Sequence, residues 1–266
     1  MDPSPLPARW ATDLTVLEAS GSHVERHDDH LVVRTPRNPG YHWGNFVLVT
    51  DPSASDDAAR WLARHADVFA EADWVSIGLV GAPTPSAWDG HGVELEEDES
   101  LAMAGLPRLA PCPQGYAVRP LTTDADWGAR IAVELADNEE SGEYEASSHE
   151  RFVRARTDIQ REVVAAGGAL FVGAFDGDGR LAADLGIVVG DGLARYQDVG
   201  TRPEHRRRGL AAHLLGVAAQ WAATQGVTRF VIVTGVDNPA GRVYRGVGFE
   251  PDRPTWTVYR RPPLAG

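Results

Sequence analysis

Residues 196–211 read Tyr196-Gln-Asp-Val-Gly-Thr-Arg-Pro-Glu-His-Arg-Arg-Arg-Gly-Leu-Ala211, and this segment decides the fold. It ends a strand pattern and opens an amphipathic helix pattern at Gly209. The first N–H groups of a helix lack partners within the helix and carry partial positive charge. Three arginines there make sense if an anion lies in the turn, and Gly209 lets the backbone approach that anion closely. The pattern predicts a pyrophosphate-binding turn, with a solvated basic loop as the alternative.

The segments around this turn alternate between strands and helices. The helix from Gly209 to about Thr224 carries one apolar stripe. Before it come three strands joined by Asp-Gly-Asp-Gly and Gly-Asp-Gly hairpin turns. Upstream lie a strand, a helix with Trp127, Ile131 and Leu135 on one face, and a helix that opens at Ser147 with Glu150 as its capping box. Downstream lie a buried strand, a short helix and a last strand.

The resulting order is β-α-α-β-β-β-α-β-α-β. It predicts an α/β (α+β) fold, with a mixed, mostly antiparallel sheet flanked by helices on both faces. The predicted strands span residues 116–120, 169–175, 181–189, 193–201, 230–236 and 255–260.

The first 104 residues repeat this order more faintly, which suggests an internal duplication. We expect a degenerate N-terminal domain over 1–104, a proline-rich linker over 105–115 and a catalytic domain over 116–266. The N-terminal turn that corresponds to 206–211 is Asp51–Asp57, which has carboxylates and no glycine. It would repel a pyrophosphate. The segment Arg34–Asn45 is rich in aromatic and turn residues, and it either lines a ligand pocket or, as we favour, docks the two halves.

Composition excludes several classes of function. The net charge of −13 argues against binding to nucleic acid or to an anionic membrane. No apolar run approaches the ~20 residues of a membrane span, and the start MDPSPLPARW lacks the regions of a signal peptide, so we expect a cytoplasmic protein. A single cysteine, Cys112, excludes an internal disulfide. All 25 basic residues are arginine, which excludes Schiff-base chemistry on lysine. His23, His27 and His30 favour a polar hairpin tip over a metal site.

Two motifs resemble one known family. Arg206-Arg-Arg-Gly-Leu-Ala211 matches the pattern Gln/Arg-x-x-Gly-x-Gly/Ala of GNAT-type acyltransferases. Asn238-Pro-Ala-Gly-Arg-Val-Tyr-Arg-Gly-Val-Gly-Phe249 resembles the family's second signature, an Asn followed by a Tyr and then Gly-Phe. The resemblance covers residues 116–261 in the family's element order. It implies the GNAT fold, acetyl-CoA as co-substrate and an amine as acceptor.

Carried over by residue, the resemblance implies that backbone groups of 199–201 pair with the pantetheine arm and that amides of 206–211 hold the pyrophosphate. Tyr244 would protonate the departing thiolate, the alternative being a core aromatic. Asp198 is a candidate general base, although a bulge would change the face on which it lies. The acidic loop Asp137–Glu145 either attracts a cationic amine or is an ordinary exposed loop. The implied acetyl-CoA contacts are Val199, Gly200, Thr201, Arg206, Arg207, Arg208, Gly209, Leu210, Ala211 and Asn238.

The sequence therefore predicts an acetyl-CoA-dependent N-acetyltransferase that acts on a primary amine of a small molecule or peptide. A non-catalytic acyl-CoA-binding or sensor protein is the alternative, and Tyr244 weighs against it. A nucleic-acid binder that uses the arginine cluster is opposed by the net charge. The acceptor is not specified by a fold-level resemblance. The sequence leaves open whether the chain forms a homodimer.

Overall fold

The computed structural model describes residues 6–264. The outermost parts of the two predicted domains, 1–5 and 265–266, lie outside the described residues. No helix in the described part is long and apolar enough to cross a membrane. The helices are α1 (Ala8–Ala19), α2 (Ala58–Val68), α3 (Pro85–Trp88), α4 (Asp124–Ser141), α5 (Ala146–Ala165), α6 (Leu210–Thr224) and α7 (Ala240–Val247).

The strands form one mixed sheet, most of whose neighbours are antiparallel, as the sequence predicts. Only β3–β4 and β9–β10 pair in parallel among the described strands. The strands are β1 (His23–Arg26), β2 (His30–Arg34), β3 (Phe46–Val49), β4 (Val75–Leu79), β5 (Glu94–Ala104), β6 (Ala117–Pro120), β7 (Ala169–Phe175), β8 (Leu181–Gly190), β9 (Leu193–Thr201), β10 (Arg229–Gly235), β11 (Glu250–Pro251) and β12 (Thr255–Arg260).

The first half of the described chain, 6–104, and the second half, 116–264, exchange strands at the centre of the sheet. The order is β1-β2-β3-β4-β12-β5-β10-β9-β8-β7-β6, with β11 beside β5. Strand β5, from the first half, pairs with β10 of the second half, while β12, from the second half, pairs with β4 of the first. β12 and β5 also pair with each other and so join the halves. Local sequence patterns do not predict this exchange, because it depends on pairings between distant residues.

The order of elements is repeated on the two sides of this exchange. In each half, two parallel strands flank a helix, as β3-α2-β4 and as β9-α6-β10, and a short helix and an exchanged strand follow. This repetition supports the proposed duplication of the chain. We keep the division into 1–104, 105–115 and 116–266 as a proposal about sequence origin, since β5 and β12 each lie beside strands of the other half.

Helices cover both faces of the sheet. On one face, α6 contributes Leu214 and Ala218 to a core with Phe230. On the other face, α4 and α5 contribute Trp127 and Val163 to a separate cluster with β7 and β8. These arrangements follow from the apolar stripes that the sequence shows.

Helix α1 has no counterpart among the predicted elements. Its apolar residues Trp10 and Leu14 pack on β2 and β3, but Arg9 and Thr12 are buried as well. Polar residues therefore interrupt the apolar stripe that would reveal the helix. Strand β1, which follows it, is short and mostly exposed, so it also lacks a clear pattern.

Two predictions about α4 and α5 were wrong in detail. α5 begins at Ala146, where the carboxylate of Glu145 accepts hydrogen bonds from the N–H groups of Ser147 and Ser148, so the predicted capping box does not form. α4 continues to Ser141 and ends at Gly142 in the left-handed conformation. Most of the predicted acidic loop Asp137–Glu145 is therefore helical, and four residues separate the helices.

Candidate active site

A cleft of about 970 Å³ opens between the ends of β9 and β10. The two parallel strands pair only as far as Arg195 and Val231, although both continue beyond these residues. A bulge in β9 separates them: Asp198 and Val199 lie opposite the single residue Leu185 of β8, and Asp198 has a φ of 49°. A bulge bends its strand and increases the local twist. It leaves one edge of β9 without a neighbouring strand beyond Arg195.

The turn before α6 lies at the mouth of this cleft. Gly209 is the N-cap of α6, with a φ of 84° and no side-chain cap, so the first amides of the helix face outward. Arg207 is also left-handed, with a φ of 60°. Arg206 donates from Nε to the carbonyl of Thr201 at 3.1 Å, and Arg208 donates to the carbonyl of Glu204 at 3.3 Å. Arg207 makes no ion pair or hydrogen bond with the described residues. Two arginines brace the turn and one is free for a ligand.

The structure brings eleven of the twelve predicted site residues to this one cleft. Arg208 is the exception, because its side chain braces the turn and does not line the cleft. Asn238 lines the cleft, but its Oδ1 also accepts a hydrogen bond from the N–H of Ala240 at 3.0 Å and so caps the start of α7. The residues along the cleft are Asp198, Val199, Gly200, Thr201, Arg206, Arg207, Gly209, Leu210, Ala211, Asn238 and Tyr244.

Tyr244 lies on α7 and is 4% exposed. Its hydroxyl forms no hydrogen bond with any residue between 6 and 264. Burial raises the pKa of Tyr244 to about 12, with the charge of Arg195 acting in the opposite direction. The hydroxyl is therefore protonated at neutral pH and has a proton to donate into the cleft.

Residues 131–249, which contain the whole cleft, match the model of the Acetyltransferase (GNAT) family. This part of the chain belongs to the GNAT family. A mycothiol acetyltransferase from Clavibacter michiganensis subsp. michiganensis is 31% identical over 172 residues, which are 64% of this chain. The alignment covers 53% of that relative, so the chain spans about half of its length.

Solved structures show the same fold over nearly the whole chain. A GCN5-related N-acetyltransferase from Kribbella flavida aligns over 97% of both chains, with a TM-score of 0.66 and 18% identity. A tandem GNAT protein from the clavulanic acid biosynthesis pathway aligns over 92% of this chain and 85% of its own, with a TM-score of 0.55 and 15% identity. At these identities the likeness concerns the fold alone. It establishes a GNAT fold and shows that two GNAT units occur in one chain of similar architecture.

Asp198 makes hydrogen bonds and ion pairs with three side chains of α4 and α5. Arg130 donates from Nη2 to Oδ2 at 2.7 Å, Gln160 donates from Nε2 to the same oxygen at 3.1 Å, and Arg156 lies 3.6 Å from Oδ1. Burial raises the pKa of this carboxyl, but the guanidinium groups of Arg156 and Arg130 outweigh that effect and lower it. A carboxylate held as an anion in this way is a weak proton acceptor, so the geometry disfavours the predicted general base.

Arg130 is the centre of that network and is 1% exposed. It also donates from Nε to Asp184 at 2.9 Å. We expect Arg130→Met to destabilise the fold by about 3–5 kcal/mol, because it leaves the buried carboxylate of Asp184 without a guanidinium and removes one of the two that face Asp198. Chemical denaturation would measure the change. Arg180→Met is the matched control, since its pair with Asp178 is exposed on both sides and contributes at most about 1 kcal/mol. Equal stability of the two variants would contradict the role given to Arg130.

A second, larger cavity of about 1070 Å³ lies between the halves of the chain, and sequence reasoning did not locate it. The segment Arg34–Asn45 contributes to it and also docks the halves. Arg37 makes two hydrogen bonds of 2.6 Å to Glu162, and Asn38 donates to the carbonyl of Phe152 at 3.1 Å. The segment therefore docks the halves, as we favoured, and it also lines a cavity. No group of three or more His, Cys, Asp or Glu side chains suited to a metal occurs within residues 6–264.

Proposed function

We propose that the protein is an N-acetyltransferase that transfers an acetyl group from acetyl-CoA to a primary amine of a small molecule or peptide by direct attack. The observation that carries the proposal is the Tyr244 hydroxyl, which is protonated, has no partner in the described structure and lines the cleft beside the outward-facing amides of α6. Membership of the GNAT family and the acetyltransferase relative support acetyl transfer.

The cleft suits coenzyme A in two respects. A Cβ built on Gly209 would meet only Pro113 Cγ at 4.0 Å, so the space in front of the turn is open to a phosphate. Negative charge is favourable there because the helix N-terminus and Arg207 are both positive. The edge of β9 beyond Arg195 offers unpaired backbone groups, to which an extended pantetheine arm can add as a strand does.

The residues of the chain then have distinct roles in the transfer. The amine attacks the acetyl carbonyl, the C–N bond forms, the C–S bond breaks, and the nitrogen releases one proton to solvent. A backbone N–H near Val199 stabilises the negative charge on the carbonyl oxygen, since the bulge takes this stretch, which lines the cleft, out of the regular register with β8. Tyr244 donates its proton to the departing thiolate. Asp198 is a positioning residue, whose ion pairs hold the left-handed turn of the bulge in place.

The direct test follows the release of free coenzyme A thiol from acetyl-CoA over a panel of primary amines. We expect release that depends on the amine and produces the N-acetylated product in equal amount. Mass spectrometry of the product gives that ratio. Tight coenzyme A binding without turnover on any amine would favour the acyl-CoA sensor instead.

A further inference from the structure

The cavity between the halves has walls made of aromatic rings. Five of the nine rings come from the first half: Tyr41, His42, Trp43, Phe69 and Trp74. The other four come from the second half: Tyr144, His149, Phe152 and Tyr259. Neither half alone encloses the space. Its volume is that of a site for a small organic molecule.

The rings also contact one another, so the walls are fixed before any ligand binds. His42 stacks on Trp74 with centroids 4.6 Å apart, and Tyr144 stacks on His149 at 5.7 Å. Tyr41 meets Phe152 across the two halves at 5.4 Å. Flat, preformed apolar walls favour a flat apolar ligand, because little conformational entropy is lost when it binds.

Two polar atoms in these walls have no partner. Trp74 Nε1 and His149 Nε2 are shielded from solvent and make no hydrogen bond with the described residues. Buried polar atoms of this kind are rare because each costs free energy. A polar group on a ligand, with a small movement of the rings, would satisfy them.

The cavity leads towards the GNAT cleft. Asn38 and Tyr41 line both the aromatic cavity and a small space of about 50 Å³, which extends to Gln197 and Asp198 on the bulge. Asp198 also lines the cleft on the other side of β9. The aromatic cavity therefore shares Asn38 and Tyr41 with the small space, and the small space shares Asp198 with the cleft.

The sheet register places the cavity on the side where the cleft ends. Thr255 of β12 is level with Asp98 of β5, which is level with Gly235, the last residue of β10. Tyr259 lies four residues further along β12, about 13 Å beyond that level at ~3.3 Å per residue. A molecule in the cavity thus lies beyond the carboxyl end of β10, where the acyl group would be presented.

The charges around the outer part of the cavity suit an amine. Three carboxylates, Glu71, Asp73 and Glu145, outnumber the guanidinium of Arg151 among the lining residues, so a cationic amine would be attracted there. Arg156 lines the small inner space, and Arg195 lies nearby, paired with Asp13 at 3.0 Å. Each of these guanidinium groups is paired with a carboxylate, Arg156 with Asp198 and Arg195 with Asp13, so the inner end carries charges of both signs.

We propose that this aromatic cavity is the acceptor site and that its substrate class is an arylalkylamine, a primary amine joined by a short alkyl chain to a planar aromatic ring. The inference rests on the proposed acetyl transfer and adds the chemistry of the acceptor. The ring lies against the walls that Trp74 and Tyr144 form on either side of His42, and the amine extends past Tyr41 towards the bulge.

The test compares tryptamine with hexylamine, an aliphatic amine that has no ring. Thiol release gives kcat and KM, and calorimetry gives the Kd of each amine. We expect kcat/KM for tryptamine to exceed that for hexylamine at least tenfold, since a stacked ring contributes about that much. Trp74→Ala and Tyr144→Leu should each raise KM for tryptamine about tenfold, change hexylamine less than threefold and leave the Kd of coenzyme A unchanged. Trp221→Ala, on α6 and away from the cavity, is the control and should alter none of these.

The outcomes separate this inference from the proposed function. Equal use of both amines, or unchanged tryptamine kinetics in both variants, would overturn the acceptor class while acetyl transfer stood. If neither amine is acetylated but tryptamine binds, and binding is lost in Trp74→Ala, the cavity holds the predicted ligand and the acetyl-transfer proposal fails. If tryptamine does not bind to the wild type at millimolar concentration, the inference is wrong.

Discussion

Tyr244→Phe should lower kcat by ~10²–10⁴-fold, the usual contribution of a positioned general acid, while the Kd of coenzyme A and the melting temperature change little. That loss corresponds to about 3–5 kcal/mol of barrier. The substitution keeps the buried ring, and the hydroxyl that it removes has no hydrogen-bond partner in the described structure. Steady-state kinetics with an accepted amine, together with calorimetry of coenzyme A, would measure both effects.

Tyr196→Phe provides the matched control for this experiment. Tyr196 is buried, lines the same cleft and donates its hydroxyl to the carbonyl of Leu215 at 2.8 Å. Its loss should therefore reduce stability by about 0.5–1.5 kcal/mol and leave the chemical step largely intact. Full activity of Tyr244→Phe would remove the general acid from the mechanism. A parallel loss of coenzyme A affinity and rate would show that the hydroxyl holds the co-substrate instead.

Gly209→Glu should weaken coenzyme A binding by at least a hundredfold. The new carboxylate would lie beside the pyrophosphate, where two unit charges ~4 Å apart repel by about 4 kcal/mol at an effective dielectric constant of ~20. The residue would also adopt a φ of 84°, which side chains other than glycine rarely do. Calorimetric titration of coenzyme A would measure the loss.

Gly226→Glu separates the effect of charge at the site from the effect of backbone strain. Gly226 follows the other end of α6, has a φ of 83°, and a Cβ there would meet nothing within 4 Å. It introduces the same residue at nearly the same φ, so affinity should stay near that of the wild type. The wild-type titration should also give one coenzyme A per chain, because the turn Asp51–Asp57 has carboxylates and no glycine. Unchanged affinity in Gly209→Glu, or two equivalent sites, would contradict this assignment.

The parts of the fold and site that the sequence predicts are those that depend on neighbours along the chain. The turn 206–209, the stripe of α6 and the hairpins of β7 to β9 follow from local patterns, and the structure has them. The cleft follows from the turn, since the strand and helix that flank it fix its position. Asp198 was harder to interpret, because the one-residue bulge that decides its face leaves no mark in the alternation of residues.

The parts that the sequence does not predict depend on contacts between distant residues. The aromatic cavity combines residues from 38–45, 68–74 and 144–155 with Tyr259, and no spacing links them. Helix α1 has its polar residues buried by a network, with Arg9 beside Asp98 and Arg195 beside Asp13. These ion pairs form only where the exchanged strands bring the two halves together, so the sequence alone does not reveal them.

The exchange of β5 and β12 has a consequence for how the chain is made. The sheet of the first half has β12 beside β4, and β12 comprises residues 255–260. During synthesis, therefore, β4 keeps one open edge until nearly all of the described chain has left the ribosome. The usual sequence, in which an N-terminal domain completes its fold while the next is still being translated, does not apply here. Pairings that wait for such remote partners slow folding and leave the waiting edge available to other chains.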